Sequence, residues 1–189
     1  KLCSYPDRSV GSEGNAFATS YFREVSRSFG WQLSSKHLEC LRWERSGASL
    51  QLGNRSFGMH PGPYSPPADV EAPLRIAGSL EDLRAVKETG CILLLVGELA
   101  AEQLFPRGFP FYFPDEHERI YRLLDEKAPS AVIAATGRNP EIAGGMYPFP
   151  LSEDGSFPYP SAYMTDEMGE VVVGEARRAE ATAPGHGTV

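Results

Sequence analysis

The run Cys91-Ile-Leu-Leu-Leu-Val-Gly97 is the longest apolar stretch in the chain. It is strand-sized, far below the roughly 18 residues that a bilayer span requires. It is aliphatic without alternation, so it reads as a strand buried on both faces, the kind that lies inside a sheet covered by helices. A second such run, Ser130–Ala135, follows a helix candidate over Asp115–Lys127. There Asp115 and Glu116 suit the positive helix end, Ile120, Leu123 and Leu124 make the buried stripe, and Pro129 closes the segment. Strand, helix and strand in this order imply a βαβ-like unit and an α/β chain. The 189 residues suffice for one full core and a small appendage.

Other elements are arranged around this unit. A helix is expected over Gly14–Gly30, with Ser12 as its cap and an apolar stripe of Phe17, Tyr21, Phe22, Val25 and Phe29 that needs a partner. His37–Arg45 and Ala48–Leu52 read as a hairpin around Ser46-Gly47. The proline-rich stretch His60–Pro67 reads as a loop, because proline removes donors and restricts its neighbour. Asp69–Ala77 reads as a strand, and Ser79–Lys87 as a short helical segment capped by Ser79. Gly137–Tyr159 reads as loop. Pro160–Thr165 and Gly169–Ala176 read as strands around a turn at Asp166–Met168, before a polar tail from Arg177 to Val189. No internal repeat or low-complexity block occurs.

Charge narrows the functions. The net charge is −7, whereas nucleic-acid binding requires an excess of Lys and Arg to neutralise phosphates. No nucleic-acid partner and no membrane span are expected. The opening Lys1–Pro6 lacks the apolar stretch of a signal peptide, and a first residue of Lys suggests a processed or cut chain, so the compartment stays open. Cys3, Cys40 and Cys91 form no CxxC pair and no zinc spacing, and Cys40 and Cys91 are expected as small core residues.

The usual chemical motifs are missing. His37, His60, His117 and His186 make no HxxxH, HExxH or HxD pattern. Asp115-Glu116-His117-Glu118 is dense in ligand-type atoms, but consecutive side chains of a helix turn fan apart, so a solvated helix start is expected. No G-x-S-x-G elbow, Walker A or G-x-G-x-x-G pattern occurs, and Ser12 reads as a cap rather than a nucleophile. Glu153-Asp154-Gly155 reads as an ordinary turn. The most unusual feature is the aromatic loop holding Phe105, Phe109, Phe111, Tyr112 and Phe113. It is either a satellite core or an apolar surface for a substrate or partner.

Arg8-Ser-Val-Gly11-Ser12-Glu-Gly14-Asn15, followed by a helix with Tyr21-Phe22 and an end at Gly30-Trp31, resembles the opening of M28-type zinc aminopeptidases. The middle of the chain resembles the protease-associated (PA-type) insert that many of these peptidases carry. Tyr64–Leu74 is similar to the lead into that insert, and Gly90–Gly97 to its G-K-I-V-L-V strand, with Cys91 where Lys is usual. Ala128–Ile133 is similar to the strand after its helix, and Phe157–Thr165 with Gly169 to its close.

The resemblance implies an α/β fold: a β-rich PA-type domain (swivelling β/β/α-like) with packed helices and an N-terminal helix. It divides the chain into an N-terminal helical segment over 1–36, a PA-like domain over 37–176, and a tail over 177–189 leading toward a catalytic domain. In the family the zinc ligands follow the insert, starting with His-x-Asp. Here His186 precedes Gly187, so no zinc ligand or catalytic glutamate is carried onto any residue. The expectation is a chain without catalytic residues, metal ligands or cofactor of its own, with zinc implied for the full-length enzyme. Its peptide or protein substrate would be reached through the missing catalytic domain. Without that domain, self-association is one way to bury the stripe on the first helix. Two other readings stand beside this one: a stand-alone PA-type interaction module, and an independent small hydrolase using Glu153, Asp154 or His60.

Overall fold

The computed structural model describes residues 4–5, 7–39, 42, 44, 46–107, 109–136 and 157–182, the side chains of 180–182 excepted. The chain divides into two compact units, Lys1–Arg45 and Ser46–Val189. The first holds helix α1 (Glu13–Ser28). The second holds β1 (Ala48–Leu52), β2 (Arg55–Pro61), β3 (Leu74–Ala77), α2 (Leu80–Ala85), β4 (Ile92–Leu95), α3 (Asp115–Lys127), β5 (Ala131–Ala135), β6 (Ser161–Met164) and α4 (Asp166–Thr182).

Six described strands form one sheet in the order β1-β2-β6-β5-β4-β3, with β3, β4, β5 and β6 mutually parallel and the β1–β2 hairpin antiparallel. The fold is α/β. Every residue of β4 is buried, as the unalternating run requires. Its alternate side chains feed two cores. Leu93 and Leu95 join Ala77, Val132, Ala134 and residues of α2 and α3 on one face. Ile92 and Leu94 join Ile133, Met164, Val172 of α4, and Leu50 and Phe57 of the hairpin on the other. A fully buried leucine contributes about 1.5–3 kcal/mol, so the three leucines of this strand, each at 0% exposure, tie both cores to the sheet.

The expected α3, β1, β4, β5 and β6 lie where the sequence puts them, to within about a residue or two at their ends. Ser79 caps α2 in a full capping box with Asp82. Cys91 is buried, and Cys40 lies outside the described residues.

Four expectations are corrected. The partner of β1 is β2, joined by the turn Gly53-Asn54, and Leu52 faces Arg55 across it. The described residues of His37–Arg45 form no strand. His60 and Pro61 close β2 rather than opening a loop; proline is accepted there because it ends the strand. Asp69–Pro73 is not strand, and β3 begins only after Pro73.

The fourth correction is the largest. Asp166–Ala176, expected as a turn and a strand, is the first part of α4. The Val171–Val173 run suggested β-structure, but tertiary packing outweighs propensity. The Thr165 hydroxyl accepts from the Met168 N–H at 3.3 Å, and Asp166 and Glu167 occupy the positive end. Gly169 and Val172, three residues apart, then both face inward.

Gly169 lets α4 approach β5 closely, because a Cβ there would lie 2.3 Å from the Ala135 Cβ. Gly169→Ala gains about 1 kcal/mol of helix propensity but forces overpacking that costs about 1–3 kcal/mol. Urea denaturation is expected to show a net loss of stability; a gain would mean that α4 does not sit on β5 as described.

Candidate contact surface

The aromatic loop joins the short helical turn Gly97–Ala100, after β4, to the start of α3. Both of its ends are anchored: Leu104 is buried in the α2/α3 core, and Phe113 packs against that core. The middle turns outward. Phe109, Phe111 and Tyr112 are 39%, 88% and 64% exposed. The ends of the loop thus belong to the core, and its crest is exposed apolar surface.

Phe105, half-buried, is the hub beneath that crest. Its ring lies 5.7 Å from Phe109, 5.7 Å edge-on from Tyr112 and 5.6 Å from His117. Phe111 meets Phe109 edge-on at 5.9 Å. These edge-on and tilted contacts suit the aromatic quadrupole and hold each ring against its neighbour.

Helix α3 holds the loop at two levels. At its first turn the Phe105 N–H donates to Nδ1 of His117 at 3.1 Å, and one turn later the Tyr121 hydroxyl donates to the Phe105 carbonyl at 3.0 Å. Further along, Nη1 and Nη2 of Arg107 donate to the two carboxylate oxygens of Asp125 at 2.8 and 2.7 Å. The guanidinium lies 4.4 Å from the Tyr121 ring centre, and the Tyr159 hydroxyl donates to Asp125 Oδ1 at 2.7 Å. Arg107, Phe113, Glu118, Tyr121, Arg122 and Asp125 line an open cleft of about 420 Å³ there. The Arg107 hydrogen bonds hold the Asp125 carboxyl below its usual range. Burial, then the bond to Asp125, pushes Tyr159 up to about 12. Both partners of the ion pair are partly exposed, so its worth is bounded by solvent screening to about 1 kcal/mol.

Sequence reasoning missed His117. The carboxylates around it are exposed, as a solvated helix start requires, but His117 itself is buried at 7% exposure. The available signal was its position three residues before Ile120, on the buried stripe. Accepting at Nδ1 fixes the neutral ring with its proton on Nε2.

The Arg8–Asn15 motif has a local role in the first unit. Gly11 turns the chain at φ 79°, and the Ser12 hydroxyl accepts from the Asn15 N–H at 3.1 Å as the helix cap. Gly14 passes under the incoming segment, where a Cβ would lie 1.9 Å from the Asp7 carbonyl oxygen. The Asn15 amide reaches the Arg8 carbonyl at 3.5 Å, and the Tyr5 ring covers Phe17 at 4.3 Å. The Arg8 residue is exposed. Of the helical stripe, Phe17 and Tyr21 are half-buried, while Phe22, Val25 and Phe29 are exposed.

His60 is exposed on β2, its ring 5.2 Å from Tyr163. Glu153, Asp154 and His186 lie outside the described residues. Among the described residues, no three His, Cys, Asp or Glu side chains gather into a group able to hold a metal ion. The zinc implied by the resemblance finds no donor set among them. No described helix is long and apolar enough to cross a membrane.

No family model matches the sequence, and no curated protein matches it. Among solved structures, the chain is similar to a peptidase M28 precursor from Shewanella amazonensis SB2B, at 18% identity and a TM-score of 0.56, over 90% of this chain and 40% of that one. It is also similar to an aminopeptidase from Aneurinibacillus sp. strain AM-1, at 20% identity and a TM-score of 0.49, over 89% of this chain and 37% of that one. The chain thus spans 40% or less of the length of these neighbours, and at 18% identity the likeness to the peptidase M28 precursor is one of fold.

His117 makes the loop anchor sensitive to pH. Burial lowers its pKa from 6.5, against the opposing pull of Glu102 and Glu116. A depressed histidine supports the fold fully above its unfolded pKa, and that support fades as pH falls through the folded value. Protonation places a donor at Nδ1 against the Phe105 N–H. Asp125, whose pKa is lowered from 3.8, keeps its clamp throughout this range. The Phe105 amide is therefore expected to lose hydrogen-exchange protection as pH falls below the usual histidine range, before the amides of α3 do. Unchanged protection, or loss together with the whole helix, would contradict this.

Proposed function

We propose that this chain is the non-catalytic N-terminal part of an M28-type zinc aminopeptidase, an N-terminal helical segment followed by a PA-type domain. The observation that carries the reading is the fold likeness to the peptidase M28 precursor, which takes in 90% of this chain but 40% of that one. The sequence resemblance over Arg8–Asn15, Gly90–Gly97, Ala128–Ile133 and Phe157–Thr165 points the same way by an independent route. The local geometry of Gly11, Ser12, Gly14 and Asn15 gives that first motif a physical reason, since each residue helps to fold the lead segment onto α1.

In this reading the work is divided. Zinc, held by residues of a separate domain, would supply the activation of water for peptide hydrolysis. The exposed part of the α1 stripe, Phe22, Val25 and Phe29, docks on that domain. The loop of Phe105, Phe109, Phe111, Tyr112 and Phe113 shapes substrate access or makes partner contacts, held in place by α3.

The test is hydrolysis of an aminoacyl anilide in the presence of zinc. Residues 1–189 are expected to be inactive, and the same chain extended through a downstream catalytic segment active. Hydrolysis by residues 1–189 alone would overturn the reading in favour of an independent hydrolase. An extended chain that folds but stays inactive would favour a PA-type interaction module.

A further inference from the structure

The crest of the aromatic loop and its surroundings differ in chemistry in a way that selects a partner. Phe109, Phe111 and Tyr112 put three rings into solvent on a base formed by Phe105. The loop is tied down by His117, Tyr121 and Asp125, so these rings are held ready rather than free to collapse inward. Residues 101–119 contain four carboxylates, Glu102, Asp115, Glu116 and Glu118, and two arginines, Arg107 and Arg119. Asp125 takes up Arg107 in a two-pronged ion pair, and Arg122 takes up Glu118. Glu102, Asp115 and Glu116 are exposed at the two ends of the loop, with Arg119 as an exposed cation beside them on the first turns of α3, so the local balance stays acidic. Glu102 and Glu116 both act on His117, which lies directly under Phe105, so their charge is felt at the base of the crest.

Exposed aromatic faces attract apolar side chains and the cations of Lys and Arg, and a carboxylate rim reinforces the second attraction while repelling phosphates and anionic lipid surfaces. We propose that Phe109, Phe111 and Tyr112, rimmed by Glu102, Asp115 and Glu116, form a docking surface for a peptide segment in which Lys or Arg alternates with apolar side chains. Apolar side chains rest on the rings, and the cations lie over ring faces within reach of the carboxylates. This rests on the contact-surface part of the proposed function, but binding is measured on residues 1–189 and needs no hydrolysis. Either can therefore fail while the other holds.

The experiment titrates residues 1–189 against a fluorescein-labelled decapeptide of alternating Lys and Leu, and against its Glu/Leu counterpart, by anisotropy and by amide chemical shifts. Binding of the Lys/Leu peptide with shifts centred on residues 102–118 is expected, with little binding of the Glu/Leu peptide. The chain carries a net charge of −7, so a diffuse attraction for any basic peptide must be separated from a specific surface. Phe111→Ser with Tyr112→Ser leaves the charge untouched and alters exposed side chains only. It is expected to weaken binding by about tenfold. Glu102→Gln with Glu116→Gln is expected to weaken it and to flatten its dependence on salt. Equal affinity of the wild type and the ring variant would overturn the proposal. So would no binding, equal binding of the two peptides, shifts centred elsewhere, or a crest covered by a second copy of the chain.

Discussion

The structure depends on the burial of one strand from both sides. Ile92–Leu95 has no polar position, so neither face of β4 can be left to water. Leu93 and Leu95 demand the layer supplied by α2 and α3; Ile92 and Leu94 demand the layer supplied by α4 and the hairpin. The parallel register with β3 and β5 satisfies its backbone on both edges. Each remaining element of the second unit is placed by one of these requirements.

The loop inherits its position from the same constraint. The chain leaves β4 and returns through α3 to reach β5, and the loop occupies the first part of that crossover. Because α3 must present Ile120, Leu123 and Leu124 to the sheet, its neighbouring faces are fixed in direction. His117, Tyr121 and Asp125 then meet the incoming backbone and side chains of Phe105 and Arg107. A rigid core thus sets a polar ladder, and the ladder sets the exposed rings.

Much of this was legible in the sequence where local and global signals agreed. Asp115–Lys127 has acidic residues at its start, a clean stripe and a proline just beyond its end, and it forms over that span. The two aliphatic runs became adjacent parallel strands. Legibility failed where tertiary packing overruled local preference. The Val171–Val173 run is helical because Gly169 and Val172 together fit against the sheet. Pro61 ends a strand rather than excluding one, and Gly53-Asn54, a two-residue turn with Gly53 at φ 55°, makes the hairpin in place of Ser46-Gly47. At the candidate site, the aromatic residues were visible, but the division between buried ends and exposed crest was not. His117 was hidden by its charged neighbours, because its direction follows from helix phase and not from composition.

The central functional claim is that these residues belong with a catalytic domain whose zinc ligands lie elsewhere. The most direct measurement is the nucleotide sequence of the reading frame beyond the codon for Val189. The account predicts that the frame continues into an apolar strand followed by His-x-Asp, the first zinc-binding pair of the family it resembles. A stop codon there, or a continuation without His-x-Asp, would contradict it.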